Sequence, residues 1–394
     1  MAEGRARVAH LIPTLSLGGA ARLVIDLADL LRRDGYEVDV VTGGRTEAGH
    51  TIAHEAEALG VPLRVVPTFT RDPHPINDLR AIGDLTRVLR DGHYDIVHTH
   101  GTKALLLGTW AARRAGVRHT VWHVHGWGFH NYNSFASRQA MVLAHRAMAR
   151  TASRVAAVSE TTKHIGINAR IGSPDDYCVI YAAADLDRFR HPPISTDEAK
   201  RALGIDPARL VFGSVTRLSD QKAPLDLVDA AAQVLAEVPE SHFLLVGDGP
   251  LRDQTVARIR RHGIEQRTTL PGVRLDVPEV LCAFDVYALS SLWEGFPISY
   301  LEAMAMGKPA VGTDVGGSAE AVIDGETGFI VPPRRPRDLA DRIIVLLRDP
   351  ELRRRMGDAG RRAVTQFGYD RLIRDVSALY AELLNGRSQV TGDR

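Results

Sequence analysis

The chain has 394 residues, of which 44% are hydrophobic and 25% charged, a balance typical of a globular protein with room for two domains. Its 49 basic and 48 acidic residues leave a formal charge of +1, which does not indicate a nucleic-acid-binding protein. The two cysteines, Cys178 and Cys282, form neither a disulfide framework nor a metal-type pair, as expected in a reducing cytosol. Without a signal peptide or a run of about 20 apolar residues, we expect a cytoplasmic protein, either soluble or held at the inner face of the membrane.

Short apolar runs alternate with helical periodicity in the first half of the chain. Buried strands are predicted at Val8–Ile12, Val38–Thr42, Leu63–Val66, Ile96–His98, Thr120–Val124 and Arg154–Val158. Helices are predicted at Ala20–Arg33, Leu79–Asp91, Lys103–Ala115 and Ser134–Ala149. Such alternation predicts a parallel sheet with helices on both faces.

The pattern pauses over residues 182–205, which resemble a linker, and then restarts. Further strands are predicted at Leu210–Val215, His242–Val246, Thr268–Leu270, Val286–Leu289 and Pro309–Gly312. Helices are predicted at Pro224–Glu237, Leu251–His262, Ile298–Met306 and, with amphipathic spacing, Asp370–Leu384. We therefore predict an α/β chain of two doubly wound domains joined near residue 190.

Glu294 and Glu302 flank a predicted helix N-terminus. Pro297 suits the first position of a helix, where its missing N–H is harmless. The N–H groups of Ile298 and Ser299 would then point out of the helix, as in a site for a diphosphate. The two carboxylates could hold a sugar and a ribose on either side of it. The alternative is a capped surface helix with two solvated glutamates.

Two loops that follow predicted strands could also approach a ligand. Arg217 and Lys222 lie between a strand that ends near Val215 and the next helix, and their charges could neutralise a leaving diphosphate. An ordinary solvated loop is the alternative. Gly18 and Gly19 follow the first strand and would let the backbone approach a ligand closely. No third glycine completes the dinucleotide-binding fingerprint.

Together these segments resemble family 4 of the retaining glycosyltransferases, which have the GT-B fold of two Rossmann-like domains facing across a cleft. The resemblance runs from Gly18 to the final helix, and its most specific part is Glu294 and Glu302 with seven residues between them. Further matching segments are Ala303–Pro309, Val315–Glu320, Gly247–Pro250 and Asp324–Gly328. The sequence departs from the family pattern at Ala21 and at Ala182–Ala183.

The resemblance implies a role for each residue of the donor domain. Glu294 would contact the hydroxyls of the donor sugar, and Glu302 would bind the nucleotide ribose. Arg217 and Lys222 would hold the diphosphate, and Arg274 lies where the family contacts the base, often through backbone.

The other domain would contribute Gly18 and Gly19 at the phosphates and His125 near the donor sugar, with a structural histidine as the alternative for His125. The resemblance makes residues 1–190 the acceptor-side domain and 191–367 the donor domain. It further implies that a helix within 368–386 packs back on the first domain, and it leaves 387–394 as a polar tail.

Histidines are dense between His93 and His130. His98 and His100 alternate along one strand, as do His123 and His125 along another, so each pair should face one way. We interpret these segments as strand ends that open into the cleft. A metal site is the alternative, but no carboxylate or cysteine completes a shell.

Asp185 and Asp187 form the bare Asp-x-Asp pattern of metal-dependent transferases, but they lie at the linker and we interpret them as structural. We therefore predict that neither a metal nor another cofactor is required.

Four arginines follow one another at helical intervals: Arg138, Arg146, Arg150 and Arg154. If the helix extends that far, they form a basic stripe. The stripe is either a solvated face or a surface attracted to an anionic membrane that carries a lipid-linked acceptor.

The resemblance implies metal-independent, retaining transfer of a sugar, as a UDP-linked hexose or N-acetylhexosamine, to an acceptor hydroxyl. Residues 100–104 and 125–130 resemble relatives that extend lipid-linked saccharides of surface polysaccharides, while a small-molecule acceptor stays open. The alternatives are a nucleotide-sugar epimerase of the same fold and a non-enzymatic sugar-nucleotide sensor.

Overall fold

The computed structural model describes residues 6–16, 18–44, 51–72, 74–130 and 132–386. The predicted polar tail, 387–394, lies outside the described residues. The chain divides into two compact units: the first comprises the chain up to Ala182 together with the segment from Tyr369 onward, and the second comprises Ala183–Gly368.

The first unit contains a seven-stranded parallel sheet. Its strands are β1 (Arg7–Ile12), β2 (Glu37–Thr42), β3 (Leu63–Val65), β4 (Ile96–His100), β5 (His119–Val124), β6 (Arg154–Ala157) and β7 (Tyr177–Val179), in the spatial order β3-β2-β1-β4-β5-β6-β7. Its helices are α1 (Gly19–Arg33), α2 (Ala53–Ala58), α3 (Pro75–Gly92), α4 (Thr102–Ala115), α5 (Phe135–Ala149) and α6 (Glu160–Asn168). The order reverses between β1 and β4. The carboxyl ends of these two strands therefore form the switch point at which doubly wound sheets bind ligands.

Helices cover this sheet closely, and its strands therefore consist of nearly continuous apolar runs. Gly108 allows α4 to approach β1, because a Cβ atom there would lie 2.7 Å from a methyl group of Leu11. Leu85, Leu89 and Leu107 are buried in the core on this face.

The second unit contains a six-stranded parallel sheet. Its helices and strands are α7 (Leu186–Arg190), α8 (Thr196–Ala202), β8 (Leu210–Val215), α9 (Pro224–Glu237), β9 (Ser241–Val246), α10 (Arg252–His262), β10 (Thr268–Gly272), α11 (Val277–Cys282), β11 (Val286–Leu289), α12 (Ile298–Ala305), β12 (Ala310–Thr313), α13 (Ser318–Ala321), β13 (Gly328–Val331), α14 (Pro336–Arg348) and α15 (Pro350–Ala363). The spatial order is β10-β9-β8-β11-β12-β13. Its switch point lies between β8 and β11.

The last helix, α16 (Tyr369–Asn385), belongs to the first unit. It buries one apolar face, and its Ser377 hydroxyl donates to a carboxylate oxygen of Asp34, the C-cap of α1, at 2.7 Å. The division at the other end falls after Ala182 rather than near residue 190, because α7 packs against α12 of the second unit.

Among the described residues, no helix combines the length and the apolar character that crossing a bilayer requires. Cys178 is half-buried and Cys282 is buried, and both are free thiols.

Candidate functional site

The switch point of the second unit joins the loops that follow β8 and β11. The backbone N–H of Leu292, in the second loop, donates to the carbonyl of Gln221 in the first loop at 2.7 Å. The Gln221 side chain donates to the carbonyl of Trp293 at 3.0 Å and lies 3.4 Å from Oε2 of Glu294. Sequence reasoning missed Gln221, whose only signal was its position beside Lys222.

Lys222 and Glu294 form an ion pair across these two loops, between Nζ and Oε1. Their side chains are only 19% and 7% exposed, so the pair is largely shielded from solvent. The loop can turn here because Ala223 adopts a left-handed conformation, with φ 43° and ψ 55°. That conformation costs a residue with a Cβ atom about 1–2 kcal/mol, a strain often stored at functional sites. The Ser290 hydroxyl lies 2.9 Å from the carbonyls of Lys222 and Ala223 and stabilises the turn.

Arg217 is exposed on the loop that directly follows β8. This loop packs against the Gly247–Pro250 segment, since the Leu218 N–H donates to the carbonyl of Asp248 at 2.9 Å. A Cβ atom on Gly247 would lie 1.9 Å from the Thr216 carbonyl oxygen. The glycine that matched the family thus allows the backbone that carries Arg217 to approach closely.

The sequence predicted Pro297 as the first residue of α12. The helix begins instead at Ile298, and Pro297 is its N-cap. The reason is the extended ψ of 100° at Pro297. The Tyr300 N–H donates back to the Pro297 carbonyl at 3.2 Å. The amides of Ile298 and Ser299 therefore belong to the first turn, where N–H groups have no intrahelical acceptor. Glu302 lies in the second turn.

Tyr287 connects β8, β11 and α12, and sequence reasoning missed it. Its hydroxyl donates to the carbonyl of Val215 at 3.0 Å and lies within hydrogen-bonding reach of the Ser299 side chain. Burial raises the pKa of Tyr287 to about 12, so it remains a neutral donor. It fixes the start of α12 relative to the Arg217 loop.

The Val315–Glu320 segment packs against the backbone of Glu294 and Gly295. Gly316 has a φ of 53°, and a Cβ atom there would lie 2.0 Å from the Glu294 carbonyl oxygen. The Gly317 N–H donates to the Gly295 carbonyl at 2.8 Å. The two glycines of this motif therefore allow the backbone of Glu294 and Gly295 to pack closely against this segment.

Arg274 follows β10 and is partly exposed. Its guanidinium pairs with Asp276, with Nε 2.7 Å from Oδ1. This hydrogen bond lowers the pKa of Asp276. The pair holds the guanidinium close to its own loop, as expected if the contact with a base is made by backbone.

In the first unit, Gly18 is the N-cap of α1 and Gly19 is its first residue, and both are exposed. They follow β1 at the switch point of that sheet, so the backbone amides at the start of α1 are accessible.

The histidines of β4 and β5 lie together. The rings of His98 and His100 stack at 4.6 Å, as do those of His123 and His125, so each pair faces one way. Three of these four histidines are buried, whereas Thr102 and Gly126, at the ends of the two segments, are exposed, and the opening of these segments into a cleft stays a prediction. His98, His100 and His123 are 0%, 3% and 0% exposed, because the strands that carry them are interior to the sheet. His125 follows β5 and is partly exposed.

His125 is neutral at pH 7, because burial lowers its pKa to about 4. Its Nε2 atom lies 2.9 Å from Nδ1 of His100. A neutral imidazole at this position has one donor and one acceptor and can bind a sugar hydroxyl.

The sequence argument against a metal site was that no carboxylate or cysteine completes a shell. The fold adds His10 from β1 to the cluster, and two groups of three histidines then have ring nitrogens within 4.8 Å of one another. Those groups are His10, His98 and His100, and His100, His123 and His125.

Asp185 is the N-cap of α7, and its side chain accepts from the Arg188 N–H at 3.3 Å. Asp187 is 88% exposed and pairs with Arg190 at 3.5 Å. These contacts account for both aspartates as parts of a short helix.

The basic stripe is shorter than the sequence suggested. The helix α5 ends at Ala149, so Arg154 lies on β6 and pairs instead with Glu382. Arg138 and Arg150 are exposed, whereas Arg146 donates to the carbonyl of Ala169 at 2.8 Å.

Two family models match the chain, one in each unit. The model described as Glycosyl transferase 4-like domain matches residues 18–182. The model described as Glycosyl transferases group 1 matches residues 195–363.

Curated relatives match along most of the chain. The UDP-Gal:alpha-D-GlcNAc-diphosphoundecaprenol alpha-1,3-galactosyltransferase of Escherichia coli is 30% identical over 338 residues, which are 84% of this chain and 84% of that protein. The N-acetyl-alpha-D-glucosaminyl L-malate synthase of Bacillus anthracis is 26% identical over 383 residues, 94% of this chain and 95% of that protein. Among solved structures, Anabaena HepE in complex with UDP and glucose superposes with a TM-score of 0.84 and 26% identity, covering 96% of this chain and 100% of that one.

Proposed function

The chain belongs to family 4 of the nucleotide-sugar glycosyltransferases, retaining enzymes with the GT-B fold, and on that premise we propose that it transfers a hexose or N-acetylhexosamine from a UDP-sugar to a hydroxyl of a lipid-linked saccharide. The Escherichia coli relative is a UDP-Gal galactosyltransferase, and the Anabaena structure contains UDP and glucose. The shielded Lys222–Glu294 pair at the switch point is the observation that carries the proposal.

The donor diphosphate binds at the start of α12. Arg217 and Lys222 supply two positive charges, and the amides of Ile298 and Ser299 add the partial charge of a helix N-terminus, roughly half an elementary charge. An ammonium group has three donors, so Lys222 can keep its bond to Glu294 while it contacts a phosphate oxygen.

The remaining donor contacts follow from this placement. Glu294 accepts from hydroxyls of the sugar, Glu302 accepts from the ribose hydroxyls, and the backbone near Arg274 contacts the base. Gly18, Gly19 and His125 of the first unit contribute the contacts that the family assigns to that domain.

The reaction breaks the bond between the anomeric carbon and the diphosphate oxygen and forms a bond to the acceptor oxygen on the same face. The proton of the acceptor hydroxyl passes to the leaving diphosphate. Negative charge grows on the diphosphate as the bond breaks, and preorganised cations and amides at that position lower the barrier. No divalent metal is required.

The experiment has two stages. A panel of nucleoside-diphosphate sugars is first screened by thermal shift, and the donor that binds is then incubated with lipid-diphosphate saccharides and with small-molecule acceptors. We expect UDP release only when an acceptor is present and an axial glycosidic bond in the product. Conversion of the donor without an acceptor would instead identify an epimerase, and binding without turnover a sensor.

A membrane surface is the second part of the proposal, because a lipid-linked acceptor lies in a bilayer. The first six residues of α5 are all exposed, among them Phe135 at 77% and Arg138. Leu143 and Tyr132 are 60% and 45% exposed nearby in the chain, and Arg150 is exposed at the end of the helix. Exposed aromatic and aliphatic groups beside arginines are the composition of a surface that binds anionic membranes, at the inner face of the bilayer.

Flotation with vesicles that contain anionic lipid tests this surface. Phe135→Ser with Arg138→Glu should abolish flotation and leave transfer to a soluble acceptor unchanged. The matched control is Leu275→Ser with Arg354→Glu in the second unit, where Leu275 is 62% exposed and Arg354 is exposed. Equal flotation of both double variants would show that the membrane does not bind here.

A further inference from the structure

The histidine cluster of the first unit is larger than a donor-sugar contact needs. It consists of five imidazoles and one phenol: His10, His98, His100, His123, His125 and Tyr380. Of the five imidazoles, four are buried and His125 is partly exposed.

Two nitrogens of the cluster already converge at nearly the spacing of metal ligands. Nδ1 of His100 and Nε2 of His125 are 2.9 Å apart. Two nitrogens that bind one tetrahedral ion at 2.0–2.1 Å are about 3.3 Å apart, so their separation must grow by about 0.4 Å and both rings must turn until their lone pairs meet at the ion. His123 bonds through Nδ1 to His98, and the backbone of Ile180 is a further hydrogen-bonding neighbour of its buried ring.

The inner histidines are placed to orient these ligands. His100 can donate its Nε2–H to Nδ1 of His10 at 2.8 Å, and His123 can donate its Nδ1–H to Nε2 of His98 at 3.1 Å. The other nitrogens of His10 and His98 then donate to the Tyr380 oxygen, at 3.3 and 2.6 Å. This set of tautomers directs lone pairs of His100 and His123 away from the inner layer, while the buried Tyr380 hydroxyl accepts twice and has no acceptor for its own proton among these imidazoles. Ligating histidines are typically held by such partners.

We propose that His100, His123 and His125 form a binding site for one divalent transition-metal ion of the zinc, nickel or cobalt class. Three imidazoles with a fourth position for water are a known zinc set, and imidazole favours these ions over magnesium or calcium. The group of His100, His123 and His125 is chosen over the group of His10, His98 and His100. The reason is that His125 is partly exposed, so an ion can reach it from solvent. The ion is not required for transfer. Because His125 is also the proposed contact of the donor sugar, the site is tested by metal binding and not by turnover.

The test uses the untagged full chain after EDTA treatment and dialysis. Zinc is titrated against a chromophoric chelator, and cobalt binding is followed by the visible absorption of a four-coordinate ion. We expect one ion per chain. His125→Gln, at the exposed edge of the cluster and least dependent on packing, should lower zinc affinity at least 10-fold and remove the cobalt absorption.

Two further variants separate ligation from packing. His10→Gln removes only an orienting partner and should weaken zinc binding by about 10- to 100-fold. His242→Gln is the matched control, because His242 is another half-buried imidazole, bonded to Thr269 at 2.9 Å in the second unit, and should leave zinc affinity unchanged. No stoichiometric ion, or an affinity that His125→Gln does not alter, overturns the proposal.

Discussion

The ammonium group of Lys222 and the carboxylate of Glu294 form an ion pair that joins the loop after β8 to the loop after β11. The pair connects a residue expected at the diphosphate with one expected at the sugar. A change at one residue therefore leaves the charge of the other unpaired. Variants of one residue and of both can then distinguish the effect of the pair on stability from its role in transfer.

Lys222→Ala should lower turnover by ~10²-fold or more, the loss typical of one preorganised charge-stabilising group. It should also lower the free energy of unfolding, because removing one member of a shielded pair leaves the other charge unpaired. Adding Glu294→Gln should restore stability but not turnover, as measured by urea unfolding and steady-state kinetics. Recovery of turnover in the double variant would contradict the diphosphate role of Lys222.

Arg217→Ala should lower turnover by a similar ~10²-fold with little change in stability, because its side chain is exposed. The matched control is Arg201→Ala, which removes another exposed arginine of the second unit, 3.6 Å from Asp197. Kinetics and thermal unfolding of both variants check this. If Arg217→Ala turned over like the control, the loop after β8 would not hold the diphosphate.

Glu302→Gln should weaken the binding of UDP-sugar and of free UDP alike, because both ligands carry the ribose. Glu294→Gln should chiefly weaken the sugar-bearing donor. Calorimetry of each variant with both ligands measures the difference. Equal losses for the two variants would make the division of roles untenable.

Transfer should continue in excess chelator after metal-free preparation, since the diphosphate meets Arg217, Lys222 and the helix amides. Asp185→Asn should change turnover little, and asparagine caps a helix about as well as aspartate, so stability should also hold. Activity assays with EDTA and with added magnesium or manganese check both points. Loss in chelator with recovery on adding either ion would falsify metal-free transfer.

His145 should make the first unit sensitive to acid. Burial lowers the pKa of His145 from 6.5 to about 4. Between pH 6.5 and 4 the unfolded chain therefore binds a proton that the folded chain does not bind. The unfolding free energy is therefore unaffected by this residue above pH 6.5 and falls as the pH drops toward 4, by up to about 3 kcal/mol at 1.4 kcal/mol per unit.

His145→Gln tests this by removing the titrating group while keeping a partner for Thr102, whose hydroxyl lies 2.9 Å from Nε2 of His145. Urea midpoints at pH 7.5 and 5.0 should differ less in the variant than in the parent protein. The fluorescence of Trp122 and Trp127, each 5.5 Å from the imidazole, reports on this region. An identical pH response in both proteins would exclude the imidazole as its source.

Much of the site could be predicted from the sequence, because its signals are local. The alternation of apolar runs predicted both parallel sheets, which the structure confirms in the described residues. The spacing of Glu294 and Glu302 about Pro297 predicted their places on either side of a helix start, as the structure has them. These features depend only on residues close in the chain.

Contacts between distant residues were decided by the tertiary structure. The pairing of Lys222 with Glu294, the placement of Tyr287 against Ser299 and the joining of His10 to the histidines of β4 and β5 each depend on which strands become neighbours. The sequence determined which residues stand at the carboxyl ends of strands. Strand order, which depends on long-range packing and leaves no periodic signal along the chain, decided which of those ends share an edge of the sheet and therefore which charges and lone pairs meet.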